Sequence, residues 1–112
     1  MVRSYDSLEN EFRLVTPKSF TRWRKGKSVM PGGIMKEGYW SKPYPIYVSK
    51  ADGCYLWDLD GRKYVDFANH HTAVILGHNN PTVMAAVQEE VDRGLALGAP
   101  TELELDIAEE LI

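Results

Sequence analysis

The chain has 112 residues and a formal net charge of −3, with 44% hydrophobic, 26% charged and 11% aromatic residues and one cysteine. That length fits one small domain with a modest core, and the composition excludes disordered, collagen-like and mucin-like classes. No run of about 18 apolar residues marks a membrane-spanning helix, and a lone Cys54 excludes a disulfide framework or a cysteine-rich zinc site, so a reducing, cytoplasmic setting is expected.

The charge is unevenly spread. Residues 1–30 hold seven basic side chains against three acidic, and the other 82 hold six against thirteen. A basic front suggests either a solvated amphipathic helix or a nucleic-acid arm built on Phe20 and Arg22-Trp23-Arg24. The negative total weighs against nucleic acid. No apolar stretch follows the first charges, which argues against a secretory signal, and Asp6, Glu9 and Glu11 argue against a mitochondrial leader.

The first helix is expected over residues 7–15, where Leu8, Phe12 and Val15 share one face and Pro17 ends the run. Ser19 would cap a second short helix through Trp23, stopping near Gly26. Met30-Pro31-Gly32-Gly33 opens an irregular stretch with Tyr39, Trp40 and Tyr44 interleaved. Such a loop suits the wall of a ligand site or a cover over a core. Three β-prone runs follow, at residues 46–48, 55–57 and 64–67, separated by Asp52-Gly53 and Asp60-Gly61. Asp-Gly between short aromatic and β-branched runs predicts a three-stranded antiparallel meander.

Asn80-Pro81 then opens a helix with Val83, Val87 and Val91 on one face, closed by Arg93 and Gly94. Thr101 and Glu104 have the spacing of a capping box, ahead of the stripe Leu103, Ile107 and Leu111. Ile112 comes only about three turns into this helix, so the sequence is expected to be cut inside an element.

Spacing alone gives no complete catalytic set. His70, His71 and His78 lack the i, i+4 pattern of a helical metal site. Asp58-Leu59-Asp60-Gly61 resembles the start of a calcium loop, but glycine falls at its fourth position instead of its sixth. No P-loop and no nucleophile elbow is present. No metal site is expected.

The order and spacing of Met30-Pro31-Gly32-Gly33, the run from Ala51 to Phe67, Leu76-Gly77-His78-Asn79-Asn80-Pro81 and Gly98-Ala99-Pro100-Thr101-Glu102 do resemble a family. They are similar to the amino-terminal region of class III pyridoxal-phosphate aminotransferases, nearest the glutamate-1-semialdehyde 2,1-aminomutase branch. The likeness runs from about residue 29 to residue 112 and implies an α/β fold of type I. Residues 1–29 would be a basic helical lead. Residues 30–68 would be loop plus meander of the small domain, and residues 69–112 a connector and helices starting the large domain. It also implies a homodimer acting on a small amino or keto substrate, with no nucleic-acid or membrane partner. The cofactor, pyridoxal phosphate, would sit on a lysine beyond residue 112. No catalytic or cofactor-binding residue is therefore expected here, and residues 1–112 alone should be inactive.

The substrate side does reach this chain. The position five residues before Leu-Gly-His faces the substrate pocket in the family, and here it is His71, next to His70. Many aminomutases carry a carboxylate-binding arginine in the loop after Pro-Gly-Gly. This loop has Lys36 and Lys42 instead, and a lysine lacks the bidentate fork. His71, His70 and Lys36 are the candidate substrate-binding residues. The departures leave an aminotransferase for an amine or β-amino acid as the alternative, and a non-catalytic interaction module as a second.

Overall fold

The computed structural model describes residues 4–112. Met1–Arg3, which include the first basic side chain of the lead, lie outside the described residues. The elements in order are α1 (Tyr5–Val15), α2 (Pro17–Gly26), short 3-10 turns at Pro31–Gly33 and Glu37–Tyr39, β1 (Val48–Asp52), β2 (Tyr55–Asp58), β3 (Lys63–Val65), a four-residue turn α3 (Asn69–Thr72), α4 (Pro81–Arg93) and α5 (Glu102–Glu110). The chain divides into two compact units, one running through Asn80 and the other Pro81–Ile112. The residues of the expected lead, loop and meander all lie in the first.

The two lead helices form where the apolar spacing and Pro17 predict them. Ser4 accepts a hydrogen bond from the Ser7 amide and caps α1. Ser19 does not cap α2. Thr16 holds the cap position and Pro17 the first helical one, where a missing N–H is harmless. Ser19 is instead buried on the helix face, and its Oγ accepts the Tyr47 amide at 2.9 Å.

The hub of the first unit is Tyr44, which is fully buried. Its ring centroid lies 5.1 Å from Phe12, 5.2 Å from Phe20 and 5.7 Å from Trp23. Its hydroxyl pairs with Thr16 Oγ1 at 2.9 Å, so the polar end of the ring is not stranded in the core. The Pro31–Gly33 turn packs directly on α2. A Cβ on Gly26 would meet the Gly33 carbonyl oxygen at 2.4 Å, so only glycine fits there. That oxygen also accepts the Tyr47 hydroxyl at 2.9 Å, while Trp23 Nε1 donates to the Gly32 carbonyl at 3.1 Å. The basic lead is thus joined to the Pro-Gly-Gly turn and to the segment entering β1. Phe20 and Trp23 are packing residues, not free stacking platforms.

The meander is antiparallel in the order β1-β2-β3. Its first strand begins later than the β-prone run suggests, because the Tyr47 amide is taken by Ser19 on α2. A bulge lies between Val48 and Lys50. The intervening Ser49 Oγ donates to the Trp57 and Asp58 carbonyls at 3.0 and 2.9 Å, satisfying the disturbed ladder. Asp58, 1% exposed, organises the second turn. It accepts the Asp60 and Arg62 amides at 2.9 and 2.8 Å and the Tyr64 hydroxyl at 2.7 Å. Burial, and then the Asp58 carboxylate, push the Tyr64 phenol up to about 12. The adjacent Asp60 accepts the Lys18 amide in the first turn of α2, where the helix dipole favours an anion.

In the second unit, α4 starts at Pro81, and Gly94 at φ 118° stops it, its amide bonded to Glu90 and Val91 carbonyls. Thr101 is extended and precedes α5, yet the capping box does not form. The Glu104 amide bonds to the Thr101 backbone carbonyl at 3.2 Å instead, which tightens the first turn. Neither α4 nor α5 buries a residue. No helix among the described residues is long and apolar enough to cross a membrane.

Candidate functional site

The structure brings the three sequence-derived site residues together, around a fourth, Tyr39. Lys36 and Tyr39 bracket the 3-10 turn closed by the Tyr39 amide on the Lys36 carbonyl at 3.0 Å. Residues three apart eclipse in such a turn, so the Lys36 ammonium lies 4.8 Å from the Tyr39 ring centroid and 3.5 Å from its hydroxyl. The hydroxyl is 2.7 Å from His70 Nδ1. His71 stacks on the same ring at 5.9 Å and lies against Gly38, where a Cβ would stand 3.6 Å from its Cε1 and Nε2.

The histidines sit on an unusual backbone. Asn69, His70, His71 and Thr72 all have positive φ, at 47°, 47°, 56° and 71°. Left-handed backbone costs about 1–2 kcal/mol per non-glycine residue, so the surroundings must hold this turn, and such strain gathers at functional sites. Asp66 is the main tether. Its Oδ1 accepts the Ala68 and Asn69 amides at 3.0 and 2.9 Å, and its Oδ2 meets His78 Nε2 at 2.7 Å. His78 is itself fixed by two backbone bonds with Gly53, at 2.8 and 2.9 Å. The His78 contact, then the Asn69 amide, hold the Asp66 carboxyl below the ordinary carboxylate range.

The site therefore offers one ammonium, two exposed imidazoles and one phenol, a set suited to an anionic group such as a carboxylate. A separate open cleft of about 830 Å³ is lined by residues of the Pro-Gly-Gly loop and its continuation: Met30, Pro31, Gly32, Ile34, Met35, Glu37 and Trp40. Lys42 makes no contact with the cluster. Tyr39 and Asp66 were not among the sequence candidates. Tyr39's spacing from Lys36 is a signal only once a 3-10 turn is known to lie there.

The residues from Glu37 to Ile112 match the family model for class-III aminotransferases. The chain belongs to the class-III aminotransferase family. It is 40% identical over all 112 residues to a glutamate-1-semialdehyde 2,1-aminomutase of Methanothrix thermoacetophila, and spans 25% of that protein's length. Among solved structures, a glutamate-1-semialdehyde aminomutase from Pseudomonas aeruginosa superposes with a TM-score of 0.84 at 30% identity, covering 92% of this chain and 23% of that one. A transaminase with PLP bound superposes with a TM-score of 0.81 at 37% identity, covering 85% of this chain and 22% of that one. This chain thus spans about a quarter of the length of the relatives it matches.

The described residues do not by themselves fit pyridoxal phosphate. A Schiff-base lysine is activated by desolvation or a neighbouring cation, yet every lysine here is exposed. Lys50 lies over Trp57 at 4.5 Å and Lys63 over Tyr55 at 3.5 Å, as surface side chains resting on a strand face. No glycine-rich turn from strand to helix cradles a phosphate among the described residues. No group of three or more His, Cys, Asp or Glu side chains among them is placed to hold a metal ion.

Proposed function

We propose that the whole protein is a pyridoxal-phosphate-dependent enzyme that moves amino groups, acting as a glutamate-1-semialdehyde 2,1-aminomutase. The observation that carries this reading is the 40% identity over all 112 residues to such an aminomutase. The cofactor and its lysine would lie outside residues 4–112. In this reading the meander belongs to the small domain and the helices from Pro81 lead towards the large one, and the enzyme is a cytoplasmic homodimer. Lys36, His70 and His71 receive the substrate's carboxylate end. A second reading is an aminotransferase of the same family for an amine or β-amino acid. It is favoured by the loop after Pro-Gly-Gly, which carries Lys36 and Lys42 and no arginine, since an ammonium lacks the bidentate fork.

One experiment separates these readings. The whole protein, purified with pyridoxal phosphate, should show an imine absorbance that borohydride removes. Conversion of glutamate-1-semialdehyde without any keto acid supports the aminomutase; turnover that requires a keto-acid acceptor supports the aminotransferase. Absence of a reducible imine overturns both. Residues 1–112 alone should form no stoichiometric imine.

A further inference from the structure

Tyr39 meets all three residues assigned above to the substrate. The Lys36 ammonium lies 3.5 Å from its hydroxyl, His70 Nδ1 lies 2.7 Å from it, and His71 stacks on its ring. The chemistry of these groups gives the contacts a direction. An ammonium has only protons to donate, so Lys36 takes a lone pair of the Tyr39 oxygen. The 2.7 Å contact suits either direction, and the Lys36 proton already on that oxygen favours the phenolic proton going to His70 Nδ1 as acceptor. A neutral imidazole that accepts at Nδ1 carries its own proton on Nε2. His70 Nε2 makes no hydrogen bond among the described residues, and the ring is exposed.

We propose that Tyr39 is a positioning residue that fixes His70 in its Nε2–H tautomer, so that the imidazole offers the substrate carboxylate a hydrogen-bond donor beside the Lys36 ammonium. This rests on the substrate-side reading above. Two features suit the role. The left-handed turn sets the backbone of His70 and His71, and Asp66 tethers its start by accepting the Asn69 amide at 2.9 Å. The Tyr39 ring has both the Lys36 ammonium, 4.8 Å from its centroid, and the His71 imidazole, stacked at 5.9 Å, against it. A phenylalanine at this position would keep the ring contacts and delete the hydroxyl, both the proton that selects the tautomer and the oxygen that faces Lys36.

The test is Tyr39→Phe in the whole protein. Tyr39 is 46% exposed, so the change should leave the melting curve unmoved. Ring ¹⁵N NMR should find His70 as the Nε2–H tautomer in the parent and as a mixture in Y39F. KM for the carboxylate substrate should rise by the inverse of the Nε2–H fraction that remains, about twofold for an even mixture, with kcat unmoved. Tyr39→Leu, which also removes the ring, should raise KM further. An unchanged tautomer in Y39F overturns the proposal, as does a shifted tautomer with an unmoved KM. If the whole protein moves no amino group, the function reading fails. The tautomer comparison needs no turnover and still decides the role of Tyr39.

Discussion

The two units of this chain are built on different kinds of contact. The first closes around Tyr44, with Thr16, Ser19 and Asp58 buried beside it, and its bonds join residues far apart in sequence, such as Ser19 to Tyr47 and Lys18 to Asp60. The second buries no residue of either helix, and its side-chain bonds are between neighbours, such as Arg93 to Glu89 and Glu90. Buried aromatic packing is worth several kcal/mol per residue, whereas exposed pairs one helical turn apart are worth a few tenths. The first unit therefore has a structure that single substitutions can break, and the second has helices whose apolar faces, Val87, Val91, Ile107 and Leu111 among them, are exposed within residues 4–112.

The largest expected effect is at the hub. Tyr44→Ala should lower stability by about 3–5 kcal/mol, read from urea unfolding followed by the near-ultraviolet signal of Trp23, which lies 5.7 Å from the Tyr44 ring. An unmoved midpoint would erase the contrast between the units. Gly26→Ala should cost about 1–3 kcal/mol, because the added carbon would stand 2.4 Å from the Gly33 carbonyl oxygen. The Tyr47 hydroxyl and Trp23 indole bonds to that turn should loosen with it, visible as a red-shifted tryptophan emission.

The pH profile sharpens the same contrast, because both shifted groups lie in the first unit. Asp66 is held below its ordinary value of 3.8. Its stabilisation is present above that value and is lost as pH falls through the lower folded value, since the unfolded chain then binds the extra proton. Tyr64 is raised from 10.0 to about 12. Its contribution is whole below pH 10.0 and is lost as pH climbs towards about 12, where the unfolded chain sheds a proton that the folded one keeps. The urea midpoint should fall at both ends, and Asp66→Asn should flatten the acid limb. A level midpoint up to about pH 12 would contradict the raised Tyr64 value that burial, and then Asp58, produce. The smallest effect is in the second unit. Arg93→Ala removes two exposed ion pairs and should cost no more than about 1 kcal/mol, measured as a slight loss of helical circular dichroism.

Legibility followed the range of the interaction. Pro17, Pro81 and Gly94 act within one turn of chain, and the helices they bound were readable from spacing. The Asp-Gly turns were readable for the same reason, since glycine's left-handed freedom is local: Gly53 and Gly61 have φ of 51° and 85°. The capping box at Thr101 is local too and still failed, because the Glu104 amide took the backbone carbonyl in place of the hydroxyl. Ser19 was misread as a cap because a buried serine and a capping serine look alike until the Tyr47 amide is in place. At the candidate site, His70, His71 and Lys36 were legible by resemblance, but Tyr39 and Asp66 were not. Their roles depend on residues 31 and 12 positions away, and no short window of sequence contains such a pair.

The longer helices, the meander and the class-III aminotransferase kinship were legible in the chain's order of residues, because periodicity, turn residues and motif order are properties of neighbouring positions. Tertiary packing alone set the aromatic face of the lead, Phe12, Phe20 and Trp23, around Tyr44 and brought Lys36, His70 and His71 together at Tyr39. Those outcomes hang on which distant surfaces exclude water from one another, and on a left-handed turn that local preference alone would not adopt.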